Sequence, residues 1–408
     1  MRELALDDIE ALAVGAWILG TGGGGSPYLG LLNMRRLYAE GHRVELISPQ
    51  DLADEDWVAV VSNMGAPLIG QERLADSRNI ARAVEIQQEL LGEKFRAVMS
   101  LEIGGGNSIQ PLMAAAHLGL PVVDADTMGR AYPEAQMTSV AVGDLRPYPC
   151  VLYDPRGIEA VVTRVPSWVW MERVSRKICV EMGSIASTCK APRSGREVKD
   201  WGIHFTVSKA IGIGRRVREA QRRHEDPIAA ILDEAEGEQL FRGKVTDVAR
   251  RATEGFLRGR CAIEGLDEDR GARLEIAFQN EWVVAWRAEN AHLAPIAMSP
   301  DLICVLDTVS GNAFGTETIR YGMRVTVVAL PAPPVFLTPK GLEHVGPRAF
   351  GYDLDFKSVF DQEPSPPFRG EREGPAPKAR EGEVSLSASA LESPTSPQPS
   401  PPPGAERE

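Results

Sequence analysis

Over the first 165 residues, short β-rich runs alternate with helix-like segments, and no other feature constrains the fold as much. A helix-forming stretch from Asp7 or Asp8 to Leu19 carries acidic residues in its first turn, where the helix dipole favours them. After TGGGG comes Ser26-Pro27, an N-cap followed by proline at the first helical position, and Gly41 stands where that second helix should stop. The β-rich runs RVELI (43–47), WVAVVS (57–62), FRAVMSL (95–101) and PVVDA (121–125) follow, with helical stretches near 72–91 and 107–118 between the later ones. Strands separated by whole helices pair in parallel, with the helices covering the sheet. From about 138 to 165 shorter strands take over, in MTSVAV (137–142) and IEAVVTRV (158–165). The expected fold class is therefore α/β, with a mainly parallel, layered N-terminal domain over residues 1–165.

The second half reads differently. Two helices, near 203–222 and 226–237, lead into six strand-like runs: 241–249, 255–265, 272–279, 281–288, 301–307 and 323–330. They predict a β-rich C-terminal domain over 166–357, a small barrel or a sandwich. Two domains suit 408 residues, which exceed the usual reach of one hydrophobic core. Residues 361–408 hold 11 of the 30 prolines and one aromatic residue, Phe368. PSPPFRGERE (364–373) returns loosely as PSPPPGAERE (399–408). Such a segment cannot bury enough apolar surface to offset its ordering entropy, so 358–408 is expected to be a disordered tail apart from the chemistry. A docking peptide for a proline-binding partner is the alternative.

A net charge of −12 and a pI near 5.2 leave no basic footprint for nucleic acid, but they do not exclude a small anion held in one cationic pocket. Apolar runs such as ALAVGAWIL (11–19) fall short of the roughly 18 to 20 residues that span a bilayer. The first ten residues carry two Asp and two Glu where a signal peptide has a basic region. Five cysteines without a CxxC pattern indicate neither a disulfide framework nor a zinc module. A cytoplasmic protein without membrane or nucleic-acid partners is expected.

Three glycine-bearing polar segments follow three consecutive strands: SNMGAP (62–67), EIGGGNS (102–108) and DADTMGRAYPE (124–134). Ligands bind outside the carboxyl ends of strands in open α/β sheets, so these loops should line one crevice. Glu102 at a strand end is a candidate base or metal ligand, with capping of the next helix as its structural alternative. Asp124 and Asp126, two apart in an extended segment, face the same way and can divide acid and base roles. They can equally chelate a divalent cation with Glu102, or cap the loop and pair with Arg130. Arg130 offers a planar fork for a substrate carboxylate. Asn107 can cap the helix or bind substrate, and Glu134 is a further candidate. Gly22, Gly23, Gly24 and Gly25 satisfy GxGxxG only formally, because a helix rather than a strand precedes them. Two readings stand for this loop: an anion cradle at a helix N-terminus, or a tight connection needing positive φ. Asn280-Glu281, at a hairpin, either projects into an interdomain cleft or is just a turn.

These blocks resemble a known family. LGTGGGGSPYLG (19–30), NMGAP (63–67), EIGGGNS, PVVDADTMGRAYPE (121–134), SPDLICVLD (299–307), RYGMRV (320–325) and GPRAFGYD (346–353) are similar, in order over about 5–357, to the S-methyl thiohydantoin desulfurases, associated with hydantoinase/oxoprolinase-type proteins. The resemblance implies an α/β domain followed by a β-rich one, and hydrolytic removal of sulfur from a five-membered imidazolone ring, leaving a hydantoin. A small anionic cyclic substrate and assembly as a homo-oligomer are expected. No cofactor is required by the sequence, although a divalent metal remains open. The rival expectation is a non-catalytic companion or ligand-binding subunit of a hydantoinase/oxoprolinase-type enzyme. A ring-opening cyclic-amide hydrolase is a third.

Overall fold

The alternating runs of the first half form the parallel centre of a mixed sheet. A computed structural model describes residues 1–65, 69, 76–253, 256–289 and 292–361. The tail beyond 361, positions 66–67 of the SNMGAP loop, the start of the 72–91 helix and position 255 lie outside the described residues.

The first ten strands are β1 (Arg2–Glu3), β2 (Glu45–Ile47), β3 (Trp57–Gly65), β4 (Ala97–Ser100), β5 (Val122–Val123), β6 (Ala125–Asp126), β7 (Cys150–Asp154), β8 (Ile158–Val162), β9 (Ile185–Ser194) and β10 (Ile203–His204). Eight of them form a sheet in the order β1-β2-β5-β4-β3-β9-β7-β8, and β6 pairs with β10 alone. The neighbours from β2 to β3 run parallel, and the flanking pairs are antiparallel. Val58, Ala59, Val60 and Val61 are all buried, the continuous apolar run of a strand covered on both faces. Although β9 follows residue 166 in sequence, it lies between β3 and β7 in this sheet.

The helices are α1 (Leu6–Leu19), α2 (Tyr28–Ala39), α3 (Arg78–Leu91), α4 (Gln110–Leu118), α5 (Ser139–Val142), α6 (Trp168–Glu181), α7 (Gly195–Trp201), α8 (Thr206–Arg223), α9 (Pro227–Ala235) and α10 (Pro339–Val345). In α3 the buried side chains, Ile80, Ala81, Ala83, Val84, Ile86 and Gln87, recur at helical spacing, and Gly92 ends the helix with φ 68°. The MTSVAV run is not a strand. Thr138 accepts a hydrogen bond from the Ala141 N–H at 3.2 Å and starts the short helix α5. Six residues, four of them apolar, carry too little period to separate strand from buried helix.

The remaining strands are β11 (Glu238–Thr253), β12 (Phe256–Gly265), β13 (Arg273–Gln279), β14 (Glu281–Glu289), β15 (His292–Met298), β16 (Leu302–Asp307) and β17 (Arg324–Leu330). They form one antiparallel sheet in the order β15-β14-β13-β12-β11-β17-β16, open at both ends, rather than a closed barrel or a two-sheet sandwich. The unanticipated β15 contains Pro295, tolerated because the strand lies at an edge where a missing N–H breaks no inner ladder.

Helices α1 and α8 touch backbone to backbone. A Cβ on Gly15 would overlap the Ala210 carbonyl oxygen, and one on Gly214 would overlap the Ala11 carbonyl oxygen. Helix propensity alone favours alanine over glycine by about 1 kcal/mol. Overpacking reverses that sign here. Gly15→Ala and Gly214→Ala are each expected to destabilise by ~1–3 kcal/mol, measured as a lower midpoint in urea unfolding.

Candidate active site

Because β3, β4 and β5 run parallel, the segments leaving them emerge on one side of the sheet. There a cleft of about 500 Å³ is lined by Asn63 and Met64 at the end of β3, by Glu102, Gly106 and Asn107, and by Met128, Tyr132, Pro133 and Glu134. Gly24 and Gly25 reach the same cleft from the loop before α2. Ser187 and Lys190 on β9, Glu172 and Arg176 on α6, and Asn280 with Glu281 at the β13–β14 turn complete the walls.

Glu102 leaves the end of β4 and is only 6% exposed. Its Oε1 accepts from the Asn107 side-chain amide and its Oε2 from the Tyr132 N–H at 3.1 Å. The Asn107 amide is itself oriented, because its Oδ1 accepts the Asn63 N–H at 2.8 Å. Burial pushes the Glu102 carboxyl up to about 7, against the pull of these two donors and of the Lys190 charge. A carboxylate poised near neutral pH and facing a cleft can take a proton from water.

Glu281 is buried at the turn where Asn280 adopts φ 58°. Burial, and then the nearby Glu102 charge, hold its carboxyl well above the usual carboxylate range. Lys190 is 3% exposed, and its Nζ has no hydrogen-bond partner among the described residues. Arg176 is balanced instead: it pairs with Glu172, donates to the Pro133 carbonyl at 2.9 Å and lies over the Phe256 ring.

The sequence candidates fall into two groups. Glu102, Asn107, Glu134, Gly24 and Gly25 line the cleft; Asp124, Asp126, Arg130, Gly22 and Gly23 stand behind its wall. Glu134 accepts from Gln279 at 3.1 Å and from Gln136. Asp124 caps the start of α8, accepting from the Ser208 N–H at 3.0 Å and from its hydroxyl. The Oδ2 of Asp126 accepts the N–H groups of Ile103, Met128 and Gly129 at 2.7, 3.2 and 2.8 Å, joining two of the cleft loops. Arg130, 1% exposed, donates to Thr21 and to the carbonyls of Ala131, Trp282, Pro300 and Asp301. It makes no ion pair with Asp124 or Asp126 within the salt-bridge geometry seen elsewhere in the chain, and its fork is filled by protein acceptors. Among the described residues, no three His, Cys, Asp or Glu side chains converge to hold a metal, and Glu102, Asp124 and Asp126 serve separate hydrogen-bond sets. All five cysteines are buried and unpaired, and burial pushes the Cys179, Cys261 and Cys304 thiols up to about 11, 12 and 12, away from nucleophilic thiolate.

Two domain models, S-Me-THD-like N-terminal and S-Me-THD-like C-terminal, match residues 7–164 and 166–359. The chain belongs to the S-Me-THD-like family. A crystal structure of a protein from Chromobacterium violaceum has the same fold as this family member, with a TM-score of 0.72 and 23% identity over 88% of this chain and 100% of that one. No curated protein matches the sequence. No helix among the described residues is long and apolar enough to cross a membrane.

Lys190, Glu172 and Arg176 of this S-Me-THD-like chain escaped the sequence reading. A lone lysine inside the strand run IASTCKAPRS has one available signal: a charge placed where both neighbours in the strand are buried. Behind the wall, burial lifts Asp126 from the ordinary 3.8 to about 7. A carboxyl with a raised folded pKa stabilises fully below its unfolded value and loses that contribution as pH rises through the folded one. Replacing Asp126 by Asn, which keeps an acceptor for the three N–H groups, should therefore narrow the fall in melting temperature between about pH 4 and about pH 7. Asp126→Ala should instead cost ~1–3 kcal/mol at every pH, since it strands those donors.

Proposed function

We propose that this chain is a hydrolase acting on a five-membered thiohydantoin- or imidazolone-type ring, releasing thiol or sulfide and leaving a hydantoin. Glu102 carries the reading: a buried carboxylate, held by Asn107 and Tyr132 and poised near neutral pH at the edge of a cleft of about 500 Å³, in an S-Me-THD-like chain. A cleft of that size accepts a single ring with a short substituent.

Water adds to the ring carbon that bears sulfur. Glu102 takes one proton from it as the carbon–oxygen bond forms, and the ring nitrogen gains a proton as its double bond to that carbon opens. The tetrahedral intermediate then collapses to a carbonyl as its hydroxyl proton returns to the group that protonated the nitrogen, the carbon–sulfur bond breaks, and the departing thiolate takes the proton held by Glu102. Lys190 also lines the cleft, and its Nζ, without a hydrogen-bond partner among the described residues, is suited to an anionic substituent of the substrate.

The test is thiol release by the full chain from S-methyl thiohydantoins with and without a carboxylate arm. Glu102→Gln should lower kcat by ~10²–10⁴-fold. Lys190→Met should raise KM for the carboxylate-bearing substrate by about tenfold or more, the loss of one charge-assisted contact. Wild-type rates in Glu102→Gln would overturn the assignment of the base. Ligand binding without any thiol release would favour the companion-subunit reading.

A further inference from the structure

The reaction proposed above needs a second proton-transfer group, because the ring nitrogen must be protonated while Glu102 is taking a proton from water. We infer that Glu281, delivered from the β-rich half, is that acid, and that Gly23 within the glycine run makes room for its carboxylate. The inference rests on the desulfurase reading and adds a residue and a reason for the loop.

Geometry carries it. The turn before Glu281 is pinned twice: the Asn280 N–H donates to the Leu257 carbonyl at 2.7 Å, and the Asn280 Oδ1 accepts the Leu257 N–H at 2.8 Å. The residue after it is pinned too, since the Trp282 N–H donates to the Thr21 carbonyl at 2.8 Å. Between these clamps the Glu281 side chain is only 3% exposed, lines the cleft, and has an Oε2 with no hydrogen-bond partner among the described residues. A buried carboxyl oxygen left unsatisfied costs free energy, and a protonated carboxyl facing a substrate nitrogen recovers it.

The second observation comes from the loop. Gly22, Gly24 and Gly25 have φ of 88°, 73° and 74°, a conformation that itself calls for glycine. Gly23 is different. It is not among the positive-φ residues, and a Cβ there would overlap the Glu281 carboxylate. Its missing side chain makes room for one acid. The Glu102 charge also helps hold the proton on Glu281.

The protons balance. Glu102 starts ionised and Glu281 protonated. In the addition step Glu102 takes a proton from water and Glu281 gives one to the ring nitrogen. In the collapse step the intermediate's hydroxyl proton goes to Glu281 and the thiolate takes the proton from Glu102, so both return to their starting states.

The experiment is the pH profile of kcat/KM for thiol release by the full chain, with Glu281→Gln, Glu281→Asp and Gly23→Ala beside the wild type. The wild type is expected to give a bell, rising through the Glu102 ionisation near 7 and falling when Glu281 loses its proton. Glu281→Gln should lose the alkaline limb and ~10²-fold or more in kcat. Glu281→Asp should keep that limb at reduced kcat. Gly23→Ala, whose backbone accepts alanine, should reproduce the Glu281→Gln profile with a cooperative thermal transition retained. An alkaline limb that persists in Glu281→Gln, or an unaltered profile in Gly23→Ala, would overturn the inference and leave the desulfurase reading standing. Failure of the wild type to release thiol would overturn that reading instead, and this inference with it.

Discussion

Buried Arg130 ties together segments that line the cleft from both halves of the chain. Its guanidinium leaves the segment after β6 and donates to Thr21 in the glycine loop, to the Trp282 carbonyl beside Glu281, and to the Pro300 and Asp301 carbonyls before β16. The Tyr132 ring packs beneath it, 4.6 Å from its carbon centre. A buried cation without a carboxylate partner is tolerable only when every N–H finds an acceptor, and the backbone turns around it supply them. Segments from both halves of the chain must keep their places to do so. One side chain therefore sets the α/β loops, the glycine run and the β13–β14 turn against each other, and the cleft lies among those three.

That arrangement explains which parts of the site were legible in the sequence. Glu102 was legible because strand ends and glycine clusters are local features, and a parallel sheet brings such ends together. Asp124, Asp126 and Arg130 share the same loop and carry suitable chemistry, but sequence does not show whether a side chain faces the cleft or the scaffold. Asp124 caps α8, a helix more than eighty positions away, and nothing near it in sequence announces that partner. Lys190 was invisible for a related reason: it lies on β9, whose insertion between β3 and β7 is a long-range pairing. Glu281 could be placed at a hairpin, but where a hairpin points depends on the whole seven-stranded sheet.

The glycine run shows the same limit within six residues. Four adjacent glycines look alike as letters, and the sequence supports both an anion cradle and a tight connection. In the structure they divide by physical cause. Positive φ accounts for Gly22, Gly24 and Gly25, while Gly23 is explained by the carboxylate beside it. Gly24 is also pressed against the Gly104 carbonyl, so the first glycine loop packs directly on the second, with the Gly106 N–H donating to the Gly25 carbonyl at 2.7 Å. Backbones meet this closely only where neither bears a side chain. The loop thus positions Glu102's own loop on one side and Glu281 on the other.

Burial raises both glutamates, and the two differ in the donors they receive. Glu102 receives one hydrogen bond on each oxygen and sits within reach of the Lys190 charge, all of which favour the ionised form. Glu281 has Arg130 to lower it at a distance, but its Oε2 receives no donor at all. Unequal hydrogen bonding is one way two identical side chains come to ionise at different pH. The Glu102 charge widens the division by raising Glu281 further. The two glutamates come from different sheets, Glu102 from the α/β sheet and Glu281 from the β-rich one, so their proximity depends on both.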